Sequence, residues 1–191
     1  MITINDGAGG AETGALIEKM RRILSVKGGF SGILDDGAYI KIGDKHLVFT
    51  TDSYTVDPLF FPGGDIGKLA ASGTINDLSV MGAKPIGLSL SLIIEEGFAS
   101  DKLYRILESF NKVCKIVDAP VATGDTKVLA KGEIPGILIN TSGIGAAERV
   151  IPNSGLEAGD VIVVSGGVGE HGAAILSKRF GYETSLVSDC A

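Results

Sequence analysis

One stretch, residues 49–85, constrains the fold more than any other part of the chain. It predicts a strand that ends at Asp52, a loop rich in proline and glycine, and a helix that begins at Gly64 and Asp65. Asp77 lies on or beside the apolar stripe of that helix, where an unpaired carboxylate would be costly. Its position therefore favours a functional carboxylate over a solvated one. The stripe recurs at steps of three and four, as on a helix that faces a core: Ile66, Leu69, Ala70, Gly73, Leu78 and Met81.

A second acidic position, Asp36, precedes a predicted β-hairpin whose strands are residues 39–42 and 46–50. The second strand of the hairpin would carry Asp52 close to Asp36. The pair would then converge, as oxygen ligands of Mg²⁺ must. A solvated turn is the alternative for Asp36 and its acidic neighbour taken alone.

A third polar group lies in residues 121–128, where a β-type pattern is interrupted by a glycine. A carboxylate there suits Mg²⁺, a hydroxyl suits a phosphate oxygen, and an ammonium suits a negative leaving group. The alternative is a hairpin turn with exposed polar tips. We favour a functional group, and its candidate members are Thr123, Gly124, Asp125, Thr126 and Lys127.

The first residues form a loop of small side chains before a helix predicted over residues 12–24. In such a loop the backbone N–H groups can approach a phosphate, which makes Gly7, Gly9 and Gly10 candidates for nucleotide binding. A flexible entry to the helix is an equally common reason for such glycines.

Composition excludes some classes of function. A net charge of −6 with no Lys/Arg cluster argues against nucleic acid and an anionic membrane as main partners. The two cysteines give no disulfide framework and no metal-ligand spacing. With no apolar run long enough to span a bilayer, a cytoplasmic protein is expected.

The remaining pattern predicts an α+β (α/β) fold in two parts. Residues 86–94 and 135–145 are predicted strands, and Ser100–Val117 is a predicted amphipathic helix. The pattern breaks after residue 149, and a strand over 161–165, a glycine loop and a helix over 173–180 follow. We therefore expect a first domain over 1–150 and an incomplete second domain over 151–191.

Three segments carry a family resemblance. DSYTVDPLFFPGGDIGKLAASGTINDLSVMGA (52–83), EEGF (95–98) and TGDTKV (123–128) resemble the hydrogenase expression/formation protein HypE family. This family belongs to the ATP-using superfamily of aminoimidazole ribonucleotide synthetase (PurM), selenophosphate synthetase and thiamine monophosphate kinase. VDPLFFPGG (56–64) distinguishes HypE among them. The chain departs from the family at Asp6, where a histidine is usual, and at Glu170, which replaces an aspartate.

The resemblance implies a PurM N-terminal-like domain with a mixed sheet and flanking helices, followed by the start of a PurM C-terminal-like domain. It also implies a homodimer whose sheets pair into a barrel, and ATP–Mg²⁺ in the cleft between sheet and second domain. Asn76 and Thr126 would accompany the metal or phosphate-site carboxylates. Those carboxylates would be Asp36, Asp52, Asp77 and Asp125.

The implied reaction is the ATP-dependent dehydration of a thiocarboxamide on the protein's own C-terminal cysteine to a thiocyanate, for the cyanide ligands of [NiFe]-hydrogenase. Lys127 is the candidate for assisting removal of the N–H protons. The implied partners are the carbamoyltransferase HypF and the HypC–HypD complex. The family's terminal Pro-Arg-Ile-Cys tail has no counterpart at Cys190, so we expect an inactive fragment.

Two alternatives stay open from the sequence. One is another superfamily activity, such as thiamine monophosphate kinase; selenophosphate synthetase is disfavoured because residues 5–13 contain no cysteine. The other is a dimerisation and partner-binding module without catalysis.

Overall fold

The computed structural model describes residues 1–24, 28–32, 34–164 and 166–190. Five strands form one mixed sheet in the order β1-β2-β7-β5-β6, in which only β5 and β6 are parallel. Two very short strands form a separate hairpin. The strands are β1 Ala38–Ile42, β2 Lys45–Tyr54, β3 Phe60–Phe61, β4 Gly64–Asp65, β5 Lys84–Glu95, β6 Val121–Leu129 and β7 Ile137–Ala147.

Four α-helices are present in the described residues: α1 Ala11–Ile23, α2 Ile66–Val80, α3 Ser100–Val117 and α4 Glu170–Phe180. Helices α2 and α3 pack on one face of the sheet and enclose the main core with strands β5 and β7. At Gly67 a Cβ atom would overlap the carbonyl oxygen of Ile106, so the two helices approach each other through a residue that has no side chain. No described helix is long and apolar enough to cross a bilayer.

The other face of the sheet is polar in its central rows, and none of the described helices covers it. Asn140 donates to the Ser53 hydroxyl at 3.1 Å, and Ser142 donates to the Thr51 hydroxyl at 3.0 Å. Apolar residues such as Phe49 and Ile144 are partly exposed towards one end of these strands. The sheet therefore has one core face and one open face.

Most predicted elements are confirmed. Helix α3 has the predicted bounds, and the hairpin of β1 and β2 turns at Gly43, whose φ of 60° favours glycine. The strand predicted over 161–165 is wrong where it is described, because residues 161–164 belong to no strand. A strand needs a neighbour for its backbone hydrogen bonds, and these four residues pair with none of the described strands. Residue 165 lies outside the described residues.

Helix α4 and the residues after it contact the β3–β4 hairpin and the loop before it. Ile175 and Cys190 form a small buried cluster with Phe61. The backbone N–H of Ser188 donates to the Pro62 carbonyl at 2.8 Å, and the Arg179 guanidinium donates to the Asp57 carbonyl at 2.9 Å. These contacts hold the end of the described chain against the hairpin.

Candidate functional site

Three carboxylates gather where β2 runs alongside the end of α2. Asp52 lies on β2, Asp77 lies near the end of α2, and Asp36 lies in the loop before β1. The Thr50 hydroxyl links two of these segments, since it lies 2.8 Å from Asp77 Oδ2 and 2.9 Å from the Asp36 carbonyl oxygen. We refer to Asp36, Asp52 and Asp77 as the acid cluster.

The electrostatics of Asp77 show how close the three carboxylates are. Together, partial burial and the negative charges of Asp52 and Asp36 raise the pKa of Asp77 to about 6, with burial the largest cause, while the hydrogen bond from Thr50 opposes them. None of the four ion pairs within the described residues includes a member of the cluster. The cluster therefore holds negative charge that no side-chain cation in the described chain neutralises by direct contact.

Local sequence explains why α2 presents Asp77 at this point. The helix begins where the buried Asp65 carboxylate accepts hydrogen bonds from the backbone N–H groups of Gly67 and Lys68 at 2.8 and 3.0 Å. Its apolar face, including the fully buried Leu78, packs on the sheet. The Asp65 cap sets where the helix begins, and its apolar face sets its rotation. The helical repeat then places Asp77 beside β2. Asn76, the residue before it, is exposed.

Sequence reasoning missed the hydroxyl groups that contact the cluster. The Tyr54 hydroxyl donates to Asp52 Oδ2 at 3.0 Å and lies 3.2 Å from the Thr74 hydroxyl, which is hydrogen-bonded to Thr141. A usable signal was present, because Thr50, Asp52 and Tyr54 alternate along a strand and therefore share one face.

The polar group on β6 lies elsewhere. Asp125 pairs in register with Ser91, which pairs with Asn140, and Asn140 pairs with Ser53. Cross-strand partners share a face, so Asp125 lies on the open face together with Ser53. Asp52 precedes Ser53 in β2 and therefore lies on the opposite, core face. Three strand spacings also separate β2 from β6. Within one chain the structure does not bring Asp125 to the acid cluster.

The sequence pattern predicts that the glycine of this segment interrupts the strand, and this prediction is wrong, because β6 is continuous. Alternation therefore places Thr123, Asp125 and Lys127 on the open face, and Gly124 and Thr126 on the other. The Lys127 ammonium lies 3.3 Å from Asp125 Oδ2, and the two side chains are 66% and 60% exposed. Their roles in catalysis and metal binding remain predictions.

The N-terminal glycines also lie apart from the cluster. Open space surrounds the position of a Cβ atom at Gly7, Gly9 and Gly10, and no residue of α1 is buried. Asp6, which stands where the family usually has histidine, accepts hydrogen bonds from the N–H and hydroxyl of Thr3 at 2.8 Å, and these bonds lower its pKa. Phosphate binding by this loop remains a prediction.

The acid cluster fits a cation that is shared with phosphate oxygens better than one enclosed by protein. Within the described part of the chain, no group of three or more His, Cys, Asp or Glu side chains is arranged to hold a metal ion. Mg²⁺ at nucleotide sites is usually bound through one or two carboxylates together with phosphate oxygens and water. Asp52 and Asp77, whose charges repel each other, supply such a pair of carboxylates.

The mixed sheet with its flanking helices defines the class of domain: an α+β fold of the PurM N-terminal type, as the sequence predicted. Residues 34–147 match the family described as AIR synthase related protein, N-terminal domain, and the chain belongs to this family.

Within that family the chain is similar to HypE proteins. It is 51% identical to a putative hydrogenase expression/formation protein of Methanocaldococcus jannaschii, with 100% of this chain and 59% of the relative covered. It is 42% identical to the carbamoyl dehydratase HypE of Rhizobium leguminosarum, with 100% and 55% covered. The chain thus spans somewhat more than half the length of these relatives.

Solved structures agree with this similarity. HypE in a HypE–HypF complex is 41% identical with a TM-score of 0.81, over 92% of this chain and 57% of that one. HypE in complex with ATP is 39% identical with a TM-score of 0.75, over 100% of this chain and 58% of that one.

Proposed function

We propose that this chain is the ATP- and Mg²⁺-binding part of a carbamoyl dehydratase, which converts a thiocarboxamide on a C-terminal cysteine of the whole protein to a thiocyanate. The observation that carries the proposal is the acid cluster. Its carboxylates converge, and none of them forms an ion pair within the described residues, in a chain that aligns over its whole length with HypE in complex with ATP. The dehydratase activity is proposed for the full-length protein, because this chain spans 55% of the relative that bears that name.

In this proposal Asp52 and Asp77 hold the cation, Asp36 adds negative charge, and Thr50 orients Asp77. When bound, Mg²⁺ would offset the charge of the nucleotide phosphates. The Thr50 hydroxyl has one proton and two acceptors within 2.9 Å, the Asp77 carboxylate and the Asp36 carbonyl oxygen. It can donate that proton to one acceptor or share it between both, and it thereby connects the end of α2 with the loop before β1.

The proposed chemistry makes the amide oxygen a leaving group. ATP transfers its γ-phosphoryl group to that oxygen, the C–O bond then breaks to release phosphate, and the nitrogen gives up both protons as the C≡N bond forms. Lys127 is the proposed group that helps to remove a proton. Because Lys127 and Asp125 lie on the open face, they cannot reach the acid cluster of their own chain.

We propose that a second copy of the chain resolves this separation. Pairing of two open faces would bury their polar rows and the partly exposed Phe49 and Ile144. In the proposed arrangement the edge strand β6 of each copy lies beside the other copy where β2 meets the end of α2, and Asp125 and Lys127 act at the acid cluster there. The proposed homodimer also gives the exposed edge strand β6 a neighbour. HypF is a proposed partner because a relative forms a HypE–HypF complex. HypC–HypD and a cytoplasmic location stay predictions.

Isothermal titration of ATP–Mg²⁺ against the wild type and Asp77→Ala tests the nucleotide site. We expect the variant to lose at least about tenfold in affinity, since a hydrogen bond to a charged group contributes about 1.5–3 kcal/mol. Asp44→Ala, which removes an exposed carboxylate from the β1–β2 turn, is the matched control and should bind as the wild type does. Equal affinity of wild type and Asp77→Ala would contradict the proposal.

Co-expression of Asp77→Ala and Asp125→Ala chains with different tags tests the dimer. If Asp125 acts on the cluster of the other copy, a purified mixed dimer has one intact site and binds ATP–Mg²⁺ at half the wild-type stoichiometry. If Asp125 acted within its own chain, the mixed dimer would have no intact site. Absence of binding in the mixed dimer, with normal binding in the wild type, would refute the arrangement.

A further inference from the structure

A row of hydroxyl groups leads from the core to Asp52. The Tyr54 hydroxyl contacts Asp52 Oδ2 at 3.0 Å, the Thr74 hydroxyl lies 3.2 Å from that of Tyr54, and the Thr141 hydroxyl is bonded to Thr74. Thr74 and Thr141 are both 0% exposed. Buried hydroxyl groups must find partners within the protein, so the row has little freedom to rearrange.

The protons in this row have one consistent order. A carboxylate accepts hydrogen bonds and does not donate them, so Tyr54 donates to Asp52. The Thr74 proton then points to the Tyr54 oxygen, and the Thr141 proton points to Thr74. Each hydroxyl supports the next one, and hydrogen bonds in such chains strengthen each other. The row therefore ends on one oxygen of Asp52 and restrains its rotation.

A glycine inside helix α2 makes room for this row. A Cβ atom at Gly73 would overlap the Tyr54 hydroxyl and lie 2.9 Å from two of its ring carbons. Glycine within a helix costs about 1 kcal/mol relative to alanine. The helix has this less favourable residue at the point where the Tyr54 phenol ring packs against it.

We propose that Tyr54, admitted by Gly73 and supported by Thr74, is a positioning residue that holds the Asp52 carboxylate ready for a divalent cation. This inference rests on the proposed function, because it assigns Asp52 to the cation. Tyr54 itself acts only through Asp52. Its removal should therefore weaken binding of the cation and leave the fold in place.

The test is Mn²⁺ binding followed by electron paramagnetic resonance, with and without ATP, on the wild type and Tyr54→Phe. We expect Tyr54→Phe to weaken Mn²⁺ binding about tenfold, since it removes a hydrogen bond to a charged group. Binding of metal-free ATP should be unchanged, which a general loss of structure would not produce. Tyr104→Phe is the matched control, because Tyr104 is 62% exposed on α3, and it should match the wild type.

Two substitutions at Thr74 separate positioning from packing. Thr74→Val keeps the shape and removes the hydroxyl, and we expect a weaker loss of about two- to threefold in Mn²⁺ affinity, as it acts one step further from Asp52. Thr74→Ser keeps the hydroxyl and should restore the affinity, although it removes a buried methyl group. A loss in Thr74→Ser as large as that in Thr74→Val would assign the effect to packing and overturn the inference.

The outcomes distinguish the inference from the proposed function. Equal Mn²⁺ affinity of wild type and Tyr54→Phe overturns the inference alone. Binding of Mn²⁺ without any effect of ATP overturns the proposed function, and the Tyr54→Phe comparison still decides the inference. A wild type that binds no Mn²⁺ under either condition overturns both.

Discussion

Two segments of one sheet carry residues suited to a nucleotide and a divalent cation, in opposite surroundings. At the end of β2, Asp52 and Asp77 are partly buried and contacted by Tyr54 and Thr50. On β6, Asp125 and Lys127 are exposed at an edge and contact each other. The first site is organised within one chain, whereas the second, in our proposal, acts on another copy of the chain. Similar residue types thus indicate a shared chemistry, but not a shared place in one chain.

The largest expected effect on stability contrasts the core that supports the β2 site with the exposed strand β6. Phe110 lies on α3 and is 1% exposed in the core. Phe110→Ala should lower the free energy of unfolding by about 3–5 kcal/mol, because it removes buried apolar surface and leaves a cavity. Val128 on β6 is 65% exposed, and Val128→Ala should change it by less than about 0.5 kcal/mol. Urea denaturation measures both, and similar losses would contradict the contrast between the core that supports the β2 site and the exposed strand β6.

A smaller effect is the pH dependence of stability, which we expect from the acid cluster. Burial and neighbouring charges raise the pKa of Asp77 to about 6, above its ordinary value of 3.8. Ionisation of Asp77 therefore lowers the free energy of unfolding progressively between about pH 4 and pH 6, and the full loss is present above pH 6. Asp77→Asn should stabilise the free protein at pH 8 by about 1 kcal/mol after allowance for solvent screening, and not at pH 3.

Thermal unfolding across this pH range measures the difference. Asp44→Asn, on the exposed turn between β1 and β2, provides the control and should show no such rise. A stabilisation by Asp77→Asn that is as large at pH 3 as at pH 8 would show that its cause is not the charge of the cluster.

The smallest effect is expected at β6. The ion pair of Lys127 and Asp125 is exposed, and such pairs contribute about 0–1 kcal/mol. Lys127→Ala should therefore change the free energy of unfolding by less than about 0.5 kcal/mol in urea denaturation of the monomeric chain. A larger loss under conditions where the chain dimerises would indicate that the open face is buried there, and would sharpen the comparison with β2.

The sequence predicted the parts of the site that depend on local pattern. Helical spacing predicts Asp77 beside the apolar stripe of α2, where it lies, and the predicted hairpin with its turn at Gly43 is present, while the functional roles of Asp36, Asp52 and Asp77 stay predictions. The support from Tyr54 and Thr74 was not predicted, because it joins side chains 20 positions apart. The strand predicted over 161–165 had the right apolar pattern, but a pattern does not supply the neighbour that a strand needs.

By itself, the sequence determined which residues form α2, α3 and most strands of the sheet, since apolar spacing and turn residues act over a few positions. Only the tertiary structure decided which face each strand presents and which strand lies beside it. The order β1-β2-β7-β5-β6 separates Asp125 from Asp52 by three strand spacings, although both follow a strand pattern in the sequence. Pairing between distant segments sets that order, because each strand must satisfy its hydrogen bonds and bury one face at the same time.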